Sequence, residues 1–394
     1  MSGGRVAFAA NASFGEGGQG EFLRLMVRAL AAQGPGATVY SRFAPADGVA
    51  AVNIPFTGTR RAVLFHALRR LPLLRGRADL LTWLADADFD ARVAAMIEPP
   101  ALFDGVMGQC AETIVRVRRA GARVVLTSLN THINHLARTL EEEHALVGGG
   151  RSFVHPEMIT RALHEIAAAD HIRVNSHFAK GTFIEEGVPA DRVTVIHPAV
   201  DLQHFHPSTK RDDVFRVLAV SSIDARKGVH YLLEAFAAAR LPNAELEIIG
   251  GTGDRWSKQL LDRYRIALPN LIVRAVDIMS TPVEDTIGRA SVLVHAAIED
   301  GYGLVIPQAL ASGRPVIATR SAGAAELIRD GVNGRVVEPR SAPQLAEALR
   351  QVAGDPHAWA AMCAQTRPSV EHLSYAAFGE QVSRLYTNVL NSEF

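Results

Sequence analysis

Twice along its length the chain alternates short apolar runs with stretches whose apolar residues recur at helical spacing, and one polar, unperiodic segment parts the two series. The first series opens with Arg5–Ala9, a glycine-rich loop and the helical pattern Phe22–Ala32, and continues through Thr38–Tyr40, Gly105–Met107, Val124–Thr127, His171–Val174 and Val193–Ile196. Short unbroken apolar runs flanked by turn or helix signals mark strands buried on both faces, as in a parallel sheet. After the linker-like text AVDLQHFHPSTKRDD at 199–213 the alternation restarts with Phe215–Val220, Glu245–Ile249, Leu271–Arg274, Val292–His295, Pro315–Ala318 and Arg335–Val337. Helical patterns lie between them at Val229–Ala239, Ser257–Leu268 and Pro343–Val352, and Ser374–Leu390 reads as an amphipathic closing helix. The expected class is α/β, with two doubly wound, Rossmann-like domains in tandem. Length agrees, because 394 residues exceed the ~250–300 at which a single core stops growing.

Composition narrows the function classes. With 48% hydrophobic and 21% charged residues the chain is an ordinary globular one, not disordered, collagenous or coiled-coil. Its 41 basic and 41 acidic residues balance, which argues against a nucleic-acid partner. Cys110 and Cys363 stand outside any C-x-x-C spacing, so neither a disulfide framework nor a cysteine zinc site is expected. The start, MSGGRVAFAAN, is too short in apolar residues for a signal-peptide core, and no apolar run approaches a membrane span. The expected location is cytoplasmic, with any membrane contact peripheral and at the inner face.

Three loops carry the candidate chemistry. Gly15-Glu16-Gly17-Gly18-Gln19-Gly20 follows a strand and opens a helix, so its amides can approach an anion. A dinucleotide fits poorly there, because the next strand ends in Tyr40-Ser41-Arg42 with no acid for a ribose. A loop meeting a phosphate or sugar from across a cleft, or a plain tight turn, are the remaining readings. In the second half, Asp300-Gly301-Tyr302-Gly303-Leu304-Val305-Ile306-Pro307-Gln308 places Pro307 in the first turn of a helix, so the Gly303, Leu304 and Val305 amides would point at a diphosphate. Asp300 and Gln308 can both face a ligand at that helix start, against the bland reading of Asp300 as a buried cap. Ser222-Ile223-Asp224-Ala225-Arg226-Lys227-Gly228 holds the position of a nucleotide loop, with Lys227 as a diphosphate counter-charge unless it is a solvated turn lysine.

Several runs occur in order between 165 and 340: Asn175-Ser176-His177-Phe178, Gly187-Val188-Pro189, Arg226-Lys227-Gly228, Ile249-Gly250-Gly251-Thr252-Gly253, Asp300–Gly303, Gln308–Thr319 and Gly323-Ala324-Ala325-Glu326. This series closely resembles family 4 glycosyltransferases. The resemblance implies the GT-B fold: two Rossmann-like domains facing a cleft, with the C-terminal helix crossing back to the first. It places an acceptor-binding domain at 1–200, joined by the closing helix at 374–394, and a nucleotide-sugar donor domain at 201–373.

The implied activity is retaining, metal-independent transfer of a sugar from a UDP- or GDP-linked donor, with no further cofactor. A saccharide, natural-product or lipid-linked hydroxyl is the acceptor. By resemblance, Lys227 and the Gly303, Leu304 and Val305 amides hold the diphosphate, Asp300 the sugar hydroxyls and Gln308 the ribose. Glu326 serves the phosphate and sugar region, Gly17 and Gly18 approach from the first domain, and His132 is the pocket histidine. His132, Asp300 and Lys227 are therefore the catalytic candidates, and the remaining residues the donor-binding ones.

The chain departs from the commonest pattern. The usual acid pair is Asp300 and Gln308, an Arg five residues before the Lys is Ser222, and a linker Gly is Ala199. We expect Arg226 to supply the charge that Ser222 lacks. Departures of this kind also admit an epimerase or hydrolase, or an inactive sugar-nucleotide binding subunit. His132, His135 and His144 stand near Glu141-Glu142-Glu143 without an H-E-x-x-H, so no metal site is expected. Thr59–Arg77, with six arginines and no acid, is either a solvated helix face or a dock for an anionic or lipid-linked acceptor, or for the membrane carrying it.

Overall fold

The computed structural model describes residues 6–32, 36–46, 48–70, 78–148, 154–208, 212–251, 255–274 and 283–392. Arg5, the linker centre at 209–211, Thr252-Gly253 and the 71–77 part of the basic stretch lie outside the described residues.

The first series forms seven strands: β1 (Val6–Ser13), β2 (Ala37–Phe43), β3 (Ala50–Asn53), β4 (Leu102–Val106), β5 (Arg123–Ser128), β6 (His171–Val174) and β7 (Val193–Val195). They pair in parallel in the order β3-β2-β1-β4-β5-β6-β7. Seven helices accompany them: α1 (Gly17–Ala31), α2 (Arg60–Arg70), α3 (Ala78–Met96), α4 (Ala111–Arg119), α5 (Ile133–Val147), α6 (Pro156–Ala168) and α7 (His177–Glu185). The second series gives β8 (Phe215–Val220), β9 (Ala244–Ile249), β10 (Leu271–Arg274), β11 (Val292–His295), β12 (Val316–Thr319) and β13 (Gly334–Val337), parallel in the order β10-β9-β8-β11-β12-β13. With it come α8 (Val229–Ala239), α9 (Arg255–Ala267), α10 (Glu284–Arg289), α11 (Val305–Ala311), α12 (Ala342–Gly354) and α13 (Pro356–Thr366), and α14 (Tyr375–Asn391) closes the described chain.

In both sheets the order of strand addition reverses beside the first strand, between β1 and β4 and between β8 and β11, where doubly wound sheets open a crevice at the carboxyl ends of the strands. The strands are as apolar as that burial requires: Phe8, Leu102, Val124, Leu246, Leu293 and Ile317 are fully buried. The edge strand β3 and the long helix α3 are not marked in the sequence pattern. β3 is a four-residue, half-exposed Ala-rich segment, and α3 buries four aspartates, Asp79, Asp86, Asp88 and Asp90, which blur any apolar period.

The closing helix α14 packs on α1 in the core of the first sheet, through Phe378, Val382, Tyr386 and Val389. A buried charge fixes that docking. Arg173 of β6 is fully buried between the Phe22 and Phe378 rings, 4.9 and 5.9 Å from their centroids, and lies 3.4 Å from Asp104. The Tyr386 hydroxyl donates to the same carboxylate oxygen, Asp104 Oδ2, at 2.7 Å. The two chain segments that run between the sheets lie side by side, since Val200 N–H donates to Leu373 C=O at 2.9 Å. Among the described residues no helix is long and apolar enough to cross a membrane.

Candidate functional site

A cleft of about 790 Å³ lies between the carboxyl ends of the two sheets. On the first-sheet wall, the glycine loop shows three separate needs. Gly17 adopts φ +65°, Gly20 has no room for a Cβ beside Ser13 C=O, and Gly18 faces open space. The loop is so tight that α1 starts within it, several residues before the expected Phe22.

On the opposite wall the Ser222–Gly228 loop is held by Asp224, which accepts from Ser222 Oγ at 2.6 Å and from Lys227 N–H at 2.9 Å. Gly228, at φ +63°, is pressed against Ala296 C=O where a Cβ would collide, so the loop lies hard against the end of β11. This delivers Lys227 Nζ to Asp300 Oδ2 at 2.6 Å. His295 Nε2 stands 2.9 Å from the same oxygen, and Tyr302 N–H donates to Oδ1 at 3.3 Å. Burial alone would raise the Asp300 carboxyl, but the Lys227 charge and the His295 contact outweigh it and hold the group well below the usual carboxylate range. Asp300 is therefore an anion whose nearest partner is the lysine.

Arg226, Lys227, Asp300, Gly303, Leu304, Val305 and Gln308 share this cleft with Gly17 and Gly18. Two predicted residues stand elsewhere. His132 is the N-cap of α5: its Nδ1 accepts from Asn134 N–H at 3.3 Å, its ring packs edge-on against Phe183, and it is 2% exposed. Burial lowers its pKa, which favours the neutral imidazole. Glu326 sits at the seam between the two halves, accepting from His177 N–H at 3.0 Å and touching His197 Nε2. Neither side chain is among those that line the cleft. Arg226 does line it, with its guanidinium already engaged: Nε donates to Glu299 Oε2 at 2.6 Å and Nη2 to Asn130 Oδ1 at 2.9 Å.

Sequence reading missed the seam itself. Glu299 is fully buried and also accepts from Thr131 Oγ1 at 2.7 Å and Thr131 N–H at 3.3 Å. Gly301 lies so close to Leu129 C=O and Asn130 that a Cβ would clash, and Ser176 Oγ donates to Gly301 C=O at 2.8 Å. Two buried polar atoms in the lining, Asn175 Oδ1 and the Tyr302 hydroxyl, have no hydrogen-bond partner within the protein. Water or a bound ligand can satisfy them.

Behind the first-sheet wall lies a second unpredicted set. Asn11 N–H donates to Gln109 Oε1 at 2.7 Å, Gln109 Nε2 to Gln19 Oε1 at 3.2 Å, and Asn11 Nδ2 to Asp86 Oδ1 at 2.6 Å. Gln19 lines the cleft, so the chain of contacts runs from its wall to a buried acid. Burial, partly offset by the Asn11 hydrogen bond, pushes Asp86 up to about 7. Glu165, which accepts the Cys110 and Gly108 amides, is likewise pushed up to about 7 by burial.

An acid whose folded pKa exceeds its unfolded one binds more protons in the native state between the two values, so its contribution to stability declines as pH rises through that window. Urea unfolding between pH 4 and 7 should therefore show wild type losing stability with pH more steeply than Asp86→Asn, by up to about 1.4 kcal/mol per pH unit. Parallel slopes for the two proteins would refute the assignment.

The family model described as Glycosyltransferase Family 4 matches residues 16–204, and that described as Glycosyl transferases group 1 matches residues 214–355. D-inositol 3-phosphate glycosyltransferase 1 of Catenulispora acidiphila is 26% identical over 265 residues, 62% of this chain and 62% of that one. The matched stretch thus spans about three-fifths of this relative's length. Among solved structures, sucrose-phosphate synthase from Thermosynechococcus elongatus superposes with a TM-score of 0.73 at 20% identity, covering 99% of this chain and 100% of that one. Anabaena HepE in complex with UDP-glucose superposes with a TM-score of 0.69 at 15% identity, covering 98% and 100%.

Proposed function

The chain belongs to glycosyltransferase family 4 and has the GT-B fold, and from that premise we propose that it moves a sugar from a nucleotide-diphosphate donor to an acceptor hydroxyl with retention of configuration. The observation that carries this reading is the Lys227–Asp300–His295 group at the start of α11, facing Gly17 and Gly18 across one cleft. Lys227 and the first amides of α11 offset the charge that grows on the departing diphosphate, work that a metal ion performs in other phosphate chemistry. Asp300 and Gln308 bind the donor sugar and ribose, and the buried Tyr302 hydroxyl and Asn175 amide oxygen are available to its remaining polar groups.

We assign residues 1–200, joined by 374–394, to the acceptor and 201–373 to the donor, with the paired crossings near Val200 and Leu373 as the hinge. Double displacement would need a bare carboxylate opposite the diphosphate. Glu21, on the first-sheet wall, is instead held by Arg24 at 2.6 Å. This favours front-face attack, with the leaving phosphate oxygen taking the acceptor proton. UDP-linked donors are the first choice, since the HepE structure holds UDP-glucose. Inositol 3-phosphate heads the acceptor panel, after the name of the matched relative.

Incubation of UDP- and GDP-sugars with and without that panel tests the proposal. Nucleoside diphosphate should appear only when an acceptor is present. Release from donor alone would point to a hydrolase, and binding without turnover to an inactive sugar-nucleotide subunit. The roles separate by substitution: Asp300→Asn should depress kcat more than nucleotide affinity, and Gln308→Ala the reverse. A change confined to KM in both would overturn these roles.

The α2 helix keeps Val63 and Leu64 exposed, at 68% and 46%, beside Arg60 and Arg61. We place an anionic or lipid-linked acceptor, or the surface that presents it, against this face. Equal sedimentation with neutral and anionic liposomes removes the membrane part of that assignment.

A further inference from the structure

Three convergent side chains stand beside the cleft and outside its lining. His177 opens α7 and His197 follows β7, both in the first half, while Glu326 stands on the 3-10 turn Gly323–Leu327 of the second. Their donor atoms, one from each residue, all lie within 4.8 Å of one another. Glu326 Oε2 accepts the His177 backbone N–H, which turns Oε1 toward both imidazoles. His177 Nδ1 is 3.5 Å from Oε1, and His197 Nε2 touches it directly.

The surroundings hold this group in place. Gly323 is pressed against Ser176 Oγ and Gly301 C=O, leaving no room for a Cβ and seating the turn on the start of α7. The His197 ring stacks on Tyr302, with centroids 6.1 Å apart and planes at 25°. The His177 side chain is 73% exposed, so one side of the cluster is open to solvent. It is this group, and not His132, His135 and His144, that meets metal-binding geometry among the described residues.

Two imidazoles and a carboxylate are the donor set zinc takes with three protein ligands and one open position. At bond lengths of about 2.0–2.2 Å the donors of a tetrahedral site stand roughly 3.3–3.5 Å apart. The His177–Glu326 spacing already fits, and the His197 contact needs only to open for an ion to enter between the two groups. Imidazole with carboxylate suits Zn²⁺ and its late first-row neighbours over Mg²⁺ or Ca²⁺.

We propose that His177, His197 and Glu326 bind a divalent transition-metal ion, Zn²⁺ by preference, which ties the two halves of the chain together beside the donor cleft. The ligands come from both halves, so the ion binds the closed arrangement of the seam and shifts the population toward it. It lies outside the cleft lining and takes no part in charge stabilisation on the diphosphate.

Calorimetric titration of the metal-free protein with Zn²⁺ alone, without any sugar nucleotide, tests the site independently of the transfer reaction. One equivalent should bind per chain, and Co²⁺ in its place should give the intense visible bands of a tetrahedral ion. His177→Ala, whose exposed ring is dispensable to packing and whose backbone still caps Glu326, should lose on the order of tenfold or more in affinity. Glu326→Gln, a change on the other half, should lose as much, while His357→Ala should lose none. Metal-free melting curves of the variants show that each is folded. Absence of Zn²⁺ binding, or full affinity retained in either His177→Ala or Glu326→Gln, overturns the proposal.

Discussion

Replacing Lys227 by alanine should lower kcat/KM by about two decades. Its ammonium is the full positive charge nearest the proposed diphosphate, and a charge-assisted contact of this kind is worth ~1.5–3 kcal/mol, or one to two decades. The upper end applies here, because the substitution also releases Asp300. That carboxylate is held ionised chiefly by Lys227 at 2.6 Å, and without it the His295 contact and the more distant Arg226 charge are what offset it. An unneutralised Asp300 beside the phosphates repels the group the cleft must bind. The Asp300 carboxyl should also rise toward its ordinary value, so the acid limb of kcat/KM should move to higher pH. Initial rates at saturating acceptor give both numbers. A loss smaller than tenfold would mean that the amides of α11 hold the diphosphate without the lysine.

Arg226→Ala should cost about 3–5 kcal/mol of stability, since it strands a buried carboxylate. Glu299 is fully buried, and Arg226 is its cationic partner at 2.6 Å, with Thr131 supplying the neutral hydrogen bonds from across the seam. Adding Glu299→Gln removes the stranded charge and should recover most of that loss, a coupling that a double-mutant cycle in urea reads directly. Catalysis separates the two duties of this arginine. If Arg226 also faces the diphosphate, as its place in the cleft lining suggests, the double variant regains stability but not kcat/KM. Recovery of both would confine Arg226 to the seam, and an unfolding free energy unchanged by Arg226→Ala alone would contradict the buried pair.

The departures from sequence expectation have separate causes. Gly17, Gly20 and Gly228 were legible because a tight turn or a close approach leaves its mark locally, as a glycine between a strand and a helix. Strand β3 was illegible because a short half-exposed edge strand needs no apolar run. Helix α3 was illegible because its aspartates are matched from far along the chain: Asp86 by Asn11, Asp88 by Thr59 and Asp90 by Arg161. A buried acid reads as a surface residue until its partner is known. The surroundings of His132 and Glu326 were likewise not written in the sequence. His132 is drawn into a helix cap, and Glu326 into the seam.

The sequence by itself determined the two parallel sheets, the loops that end at one cleft and the family, since strand and helix periods and loop motifs are set by neighbours a few residues apart. Tertiary structure alone decided which charges meet. Thr131 and Glu299 are 168 residues apart along the chain, His197 and Glu326 129, and Asp104 and Tyr386 282. Such pairs depend on how two sheets face and on where the closing helix returns. Both follow from the summed burial of many apolar side chains, and no short window of sequence records that sum.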